Sequence, residues 1–198
     1  MIKRALAGAA VLALCPLASA TINFIDFESD LIGPRSNGFM SLSSPLVTFT
    51  DSEGEDLYID DYGLESDGHA LAVGTDRDQS ILIMDFAATI DSLSMDFGND
   101  EPSYIFPGDY ALLSAFLDGE FIGQTLVELN ANDAMDQSIS FSGDFFNSAT
   151  IEFYVSGNPG GVTEIVDNIS FNTIPAPGAG LIVAASALVR AGRRRREA

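Results

Sequence analysis

Across 198 residues, nine Lys and Arg stand against 29 Asp and Glu, with one His, one Cys and no Trp, for a formal net charge of −20. A surface this acidic repels phosphate backbones and anionic lipid, which argues against nucleic-acid binding. A single histidine and a single cysteine cannot build a zinc centre.

The chain opens with Lys3 and Arg4 ahead of an apolar run from Ala5 to Leu14, then Ala18-Ser19-Ala20. Charged start, short apolar stretch and A-x-A site make residues 1–20 a secretory signal peptide in sequence terms. Leu14 precedes Cys15, where a lipobox has a small residue, so Cys15 leaves with the signal. The mature chain then has no thiol and no disulfide. In residues 21–174 only Arg35 and Arg77 face 28 carboxylates, a net of −26. Such a charge suits solubility in a saline medium, where screening relieves self-repulsion, and it suits cation binding.

From Thr21 onward the pattern is β. Thr21 to Glu28 alternates apolar and polar residues, as a half-buried strand does. Similar runs cover Leu46 to Thr50, Ala70 to Val73, Ser80 to Phe86, Ile90 to Phe97 and Ala111 to Leu117. Glu120 to Leu129, Gln137 to Phe141, Ala149 to Val155 and Glu164 to Phe171 complete about ten. Turn signals such as Asp67-Gly68, Asp118-Gly119, Ser142-Gly143 and Asn158-Pro159-Gly160-Gly161 separate them. Asp51 to Asp56 reads as a solvated acidic loop, and Pro102 to Asp109 as a second loop. No sustained helical period occurs in this region. The expected fold is therefore all-β, a two-sheet antiparallel β-sandwich of jelly-roll type over residues 21–174.

Prolines at 175 and 177 end the last strand. Pro175-Ala176-Pro177 leads into an apolar helix candidate from Gly178 to Val189. Arg190 and then Arg193, Arg194, Arg195 and Arg196 follow. About 12 to 14 apolar residues fall short of the roughly 20 that span a bilayer, and the arginines hold their end on the cytoplasmic side. Residues 175–198 thus read as a segment that pauses in a membrane. Signal and tail together resemble the PEP-CTERM proteins, whose proline motif, apolar helix and terminal arginines are recognised by an exosortase. Ala176 departs from the commonest motif, which has glutamate there. The resemblance implies sorting at a Gram-negative inner membrane, with transient anchoring, and delivery to the cell surface or the medium.

Candidate functional residues cluster at the two ends of the β region. Asp26-Phe27-Glu28 closes the first run, and Asp167-Asn168 sits inside the last. This pattern resembles the jelly-roll carbohydrate-binding modules, where an opening Phe-Glu and a closing Asp-Asn lie side by side. The resemblance implies a structural Ca²⁺ held by Glu28 and Asp167, with Asp26 and Asn168 as further ligands. A cation of six to eight hard oxygens suits such residues, and two carboxylates without one would repel. Capping of a turn or strand edge is the alternative. Tyr104, Phe106 and Tyr110, in and beside the Pro/Gly-bracketed loop, are the candidate glycan contacts.

Asp51, Glu53, Glu55 and Asp56 lack the EF-hand spacing. Asp60-Asp61 and Asp76-Arg77-Asp78 read as loop carboxylates, and His69 as a loop or strand-edge polar residue. No serine stands in G-x-S-x-G and no glycine-rich phosphate loop is present. The expectation is a non-catalytic surface or matrix protein recognising exopolysaccharide. An inert structural spacer and a carboxylate-based carbohydrate-active enzyme are the alternatives.

Overall fold

Ten antiparallel strands, eight along one hydrogen-bonded path and two branching from it, enclose an apolar core. The computed structural model describes residues 20–174 except 75–78, 100–101, 133 and 159–161. The signal-peptide and tail assignments, and the Asp76-Arg77-Asp78 loop, lie outside the described residues.

In chain order the strands are β1 (Thr21–Ile25), β2 (Gly33–Arg35), β3 (Val47–Asp51), β4 (Leu57–Asp61), β5 (His69–Val73), β6 (Leu82–Asn99), β7 (Tyr110–Leu117), β8 (Glu120–Glu128), β9 (Gln137–Tyr154) and β10 (Glu164–Thr173). Two 3-10 turns, Gly63–Glu65 and Pro102–Tyr104, are the only helical segments among the described residues. The all-β antiparallel expectation holds. Two strands were not foreseen, β2 and β4, and two pairs of expected strands are continuous: β6 joins 80–86 to 90–97, and β9 joins 137–141 to 149–155.

These two 18-residue strands explain the sandwich. The first half of β6 pairs with the second half of β9, flanked by β3 on one side and by β7 and β8 on the other. The second half of β6 pairs with the first half of β9 and with β10, which carries β1, β5, β4 and β2 beyond it. The β6–β9 register slips between Asp85 and Ile90 and again before Ser92. Irregularities of this kind bend a strand without ending it.

Alternation then fills the interior. Val47, Phe49, Leu82, Met84, Ala111, Leu113, Ala149, Ile151 and Phe153 from one layer meet Leu57, Ile59, Leu93, Met95, Phe97, Val166, Ile169 and Phe171 from the other. Rings interlock across the gap: Phe97 and Phe153 lie 5.5 Å apart, and Phe86 sits 5.2 Å from Phe171 and 6.3 Å from Phe146. Where β5 meets the start of β10, both faces are buried. Ala70, Ala72 and Ile165 pack under Tyr62 and Met135, and the Met135 N–H bonds to the Leu64 carbonyl.

Buried carboxylates pin the loops to this frame. Asp51, at the end of β3, accepts the N–H groups of Glu53 and Asp56, one on each oxygen, while Asn37 ties the same turn to β3. The acidic loop is therefore organised around a buried aspartate; Glu53, Glu55 and Asp56 remain exposed. Asp30 likewise holds Ser41 Oγ and the Leu42 N–H.

Candidate functional site

The first candidate site follows from strand register. Strand β10 is flanked on one edge by β5, at Glu164 to Val166, and by β1, at Ile169 to Thr173. Extended one or two residues, the β5 register sets Asn168 opposite His69 and Asp167 opposite Ala70. The β1 register likewise sets Asn168 opposite Asp26. Neither pairing is made. Asp167 and Asn168 occupy the gap between the two neighbours, and the β10–β6 register slips there too, between Asp167 and Ser170.

Backbone conformation confirms a built irregularity. Phe27 and Asn168 both adopt positive φ, 54° and 50°. For a bulky residue such as Phe this conformation costs about 1–2 kcal/mol, and it persists when the surroundings over-determine it. Here the Phe27 ring is fully buried against Phe49 at 5.6 Å. Burial of that ring contributes about 1.5–3 kcal/mol, enough to hold the turn. With Phe27 inside, its neighbours Asp26 and Glu28 are left on the outer side.

The carboxylates gather at the gap. Glu28 Oε1 accepts the N–H of His69 at 2.9 Å, and the Asp26 carboxylate accepts the N–H of Glu28 at 3.4 Å. Gly68 makes room: a Cβ there would lie 1.9 Å from Glu28 Oε1, and its φ is +91°. Asp167 is fully buried, with Oδ1 accepting the Asn168 N–H at 2.7 Å and Oδ2 without a hydrogen-bond partner. Burial pushes its carboxyl up to about 7, and the charges of Glu28, Asp67 and Asp26 push the same way against the Asn168 N–H.

The structure thus brings together Glu28, Asp167 and Asp26, and adds Asp67. Asn168 enters through its main chain, as donor and turn former. Among the described residues no three or more His, Cys, Asp or Glu side chains stand close enough to form a ready-made metal set. The cluster is near enough to feel its own charge and too open to be a finished chelate. His69 begins β5, and its Nδ1 is buried without a hydrogen-bond partner. Asp60 and Asp61 are occupied locally, accepting the N–H groups of Asp61 and Gly63.

A second candidate lies on the outer face of the β3–β6–β9–β7–β8 layer. Tyr110 is there, opposite Tyr154 in the β7–β9 register, with rings stacked at 4.9 Å and 14°. Both rings are partly exposed. Two residues along β9 on the same face, Glu152 is half-buried and near enough to Tyr154 for its charge to act on the hydroxyl. Burial raises the Glu152 carboxyl above its usual range, and the nearby Tyr154 hydroxyl partly offsets it. Burial, and next the Glu152 charge, raise the Tyr154 hydroxyl.

The loop before β7 adjoins this pair. Tyr104 and Phe106 are 43% and 55% exposed, far more open than the core rings. Asp109 fastens the loop: Oδ2 accepts the Phe106 N–H and Oδ1 the Ser156 N–H, both at 2.8 Å, while its carbonyl accepts the Leu129 N–H. Sequence reasoning found Tyr104, Phe106 and Tyr110 but missed Tyr154, Glu152 and Asp109. Only the β7–β9 register joins residues 110 and 154.

No protein-family model matches the chain, and no curated protein matches it. Among solved structures it is similar to a family 29 carbohydrate-binding module complexed with mannohexaose, at 14% identity and TM-score 0.42, covering 79% of this chain and 94% of that one. It is also similar to the K2 cleaved adhesin domain of Lys-gingipain, at 12% identity and TM-score 0.47, covering 76% and 99%. A third is the family 32 module of C. perfringens NanJ in complex with galactose, at 13% identity and TM-score 0.39, covering 64% and 93%. Likenesses this distant carry no inference about a ligand.

Proposed function

We propose that residues 21–174 form an exported, non-catalytic glycan-recognition domain, sorted to the cell surface or extracellular matrix through residues 175–198. The observation that carries the glycan reading is the Tyr110–Tyr154 pair on the outer sheet face, with Glu152 beside it and the exposed Tyr104 and Phe106 on an anchored loop. Sugars stack on aromatic faces and are oriented by hydrogen bonds to fixed polar groups. Because the rings sit on strands and on a pinned loop, little ordering entropy is lost on binding. The non-catalytic reading rests on the same make-up: the half-buried carboxylate here stands beside tyrosines, and the single histidine begins β5 in the other layer.

The gap at Asp167 supports a structural Ca²⁺. A fully buried carboxylate oxygen without a partner, among three further carboxylates, is a set of hard donors that a divalent cation would compensate. Glu28, Asp167 and Asp26 would hold it, with Asp67 as a further oxygen donor. When bound, such an ion supplies positive charge and cross-links β1, β5 and β10; it takes no part in chemistry.

The test of the glycan reading is affinity electrophoresis on a panel of polysaccharides, comparing the parent with Tyr110→Ala, Tyr154→Ala and Tyr104→Ala. Retardation by at least one polymer, lost in the variants while unfolding is unchanged, is the expected result. Silence across the panel would leave the inert-spacer reading in its place. Reducing ends released from a polymer, and abolished by one carboxylate substitution, would instead establish an enzyme. For sorting, Pro175→Ala with Pro177→Ala should leave unprocessed protein in the membrane fraction; normal processing would overturn the exosortase assignment.

A further inference from the structure

The glycan platform has an electrostatic asymmetry that narrows its ligand. Glu152 sits beside Leu112 of β7 in the ladder and between Thr150 and Tyr154 on its own strand's outer face. Glu128, opposite Tyr110 on β8, and Asp85, opposite Ser148 on β6, are exposed carboxylates on the same layer. Nothing basic balances them among the described residues. Arg35 belongs to β2 in the other layer, where its guanidinium lies 5.4 Å from the Phe39 ring. A half-buried carboxylate with no cation beside it is incompletely compensated.

We infer that, granted the platform reading above, its ligand is a glycan bearing free amino groups, taken as ammonium between Glu152 and the tyrosine pair Tyr110 and Tyr154. Three classes of sugar compete for such a face. A uronic-acid polymer meets like charge from Glu152, Glu128 and Asp85 and is repelled. A neutral or fully N-acetylated sugar can stack, but it covers Glu152 without supplying a charge and deepens its desolvation. An amino sugar does both jobs at once. Its ring packs against the partly exposed tyrosine pair, its ammonium forms a charge-assisted hydrogen bond with Glu152, and the same cation is attracted by the aromatic rings.

General attraction between a polycation and an acidic protein must be separated from this site, so the probe is short and a remote carboxylate is the control. Isothermal titration of the purified protein would use a glucosamine tetramer, its fully N-acetylated counterpart and a galacturonic acid tetramer. The runs are made near about pH 6, so that amines carry protons and carboxylates are largely ionised, and at about 0.15 M salt. The glucosamine tetramer is expected to bind more than about ten-fold tighter than the acetylated form, with no heat from the uronic acid. Glu152→Gln should lose about ten-fold or more, and Asp144→Asn, an exposed β9 carboxylate eight residues away, less than about two-fold.

Equal binding of the acetylated tetramer, or an unaffected Glu152→Gln, overturns the amino-sugar inference and leaves the platform standing. Equal losses in Glu152→Gln and Asp144→Asn reduce the binding to polyelectrolyte attraction and also overturn it. If no tetramer binds and Tyr154→Ala changes nothing on the polysaccharide panel, the platform reading falls with it.

Discussion

Replacing Asp167 by asparagine should stabilise the metal-free protein at alkaline pH, the reverse of the usual outcome at a buried hydrogen-bonded residue. In the fold its carboxyl is raised to about 7 from the usual value of 3.8. Between those limits the native state keeps a proton that the unfolded chain releases. Stability therefore declines as pH rises through about 4 to 7, and the full cost applies above about 7. A difference of roughly three pH units at about 1.4 kcal/mol each is on the order of 4 kcal/mol. Asparagine removes that charge but leaves a weaker acceptor for the Asn168 N–H, a loss of about 1 kcal/mol. The net expectation at pH about 8 in EDTA is a gain of about 2–3 kcal/mol, or roughly 5–10 °C in Tm for a domain of this size. At pH about 5, where the native carboxyl is protonated, the variant should be equal or slightly weaker. Calcium should invert the ranking, raising the parent's Tm with a response that Mg²⁺ does not match and leaving Asp167→Asn unmoved. Thermal unfolding followed by circular dichroism, at both pH values and in EDTA, Mg²⁺ and Ca²⁺, reads all of this. A parent curve flat with pH relative to Asp167→Asn in EDTA would refute the buried-charge reasoning. Equal calcium responses in the two proteins would refute the site.

Other parts of the fold make separate predictions. Gly68→Ala places a methyl on the Glu28 carboxylate at a left-handed backbone position and breaks the bond to the His69 N–H. It should cost about 2–3 kcal/mol in urea unfolding, and a neutral result would mean that Glu28 is not held there. Asp109→Ala leaves the N–H groups of Phe106 and Ser156 without their acceptor. We expect a loss of about 2–4 kcal/mol and faster proteolytic cleavage within residues 102–108; unchanged cleavage would show the loop is held by other means. Phe153→Ala deletes a fully buried ring packed on Phe97 and should cost about 3–5 kcal/mol, whereas Phe145→Ala, 55% exposed, should stay within about 1 kcal/mol.

How much of this was legible in the sequence depends on whether the signal was local. Period-two alternation located most strands because one face of each is buried, which writes the fold directly into residue order. Strand β2, Gly33-Pro34-Arg35, has no such alternation, and its proline argues against a strand unless it lies at an edge, which is where β2 sits. Strand β4 does alternate, with Leu57 and Ile59 buried, but it is short and bounded by aspartates that read as loop. The long strands looked broken for a related reason. Ser142-Gly143 reads as a turn, and Ala87-Ala88-Thr89 falls between two alternating runs; both lie at the register slips where β6 and β9 stay continuous. The buried aspartates 30, 51 and 109 were lost against the acidic background, because composition cannot tell a carboxylate that accepts two hydrogen bonds from the loops from one in water.

The same reasoning explains why the gap at β10 was half visible and the tyrosine platform less so. Asp26, Glu28, Asp167 and Asn168 were singled out because Asp26-Phe27-Glu28 and Asp167-Asn168 resemble the opening Phe-Glu and closing Asp-Asn of jelly-roll carbohydrate-binding modules. Their meeting is a consequence of β1 and β5 sharing one edge of β10 without touching, a property of topology that no residue announces. Asp67 joins them because β5 starts where it does. On the platform, Tyr110 was visible from its loop, whereas Tyr154 and Glu152 alternate with core residues and look like ordinary outward strand positions. What distinguishes them is the β7–β9 register, which sets the two rings face to face and leaves Glu152 half-covered beside them. In both places the proposal starts from one group whose compensation stops short: Asp167 with an oxygen that finds no donor, and Glu152 half-buried with no cation beside it among the described residues. A domain holding 28 carboxylates and two arginines has little positive charge of its own to supply. Both deficits therefore point outward, to a divalent ion at the first and an ammonium-bearing sugar at the second.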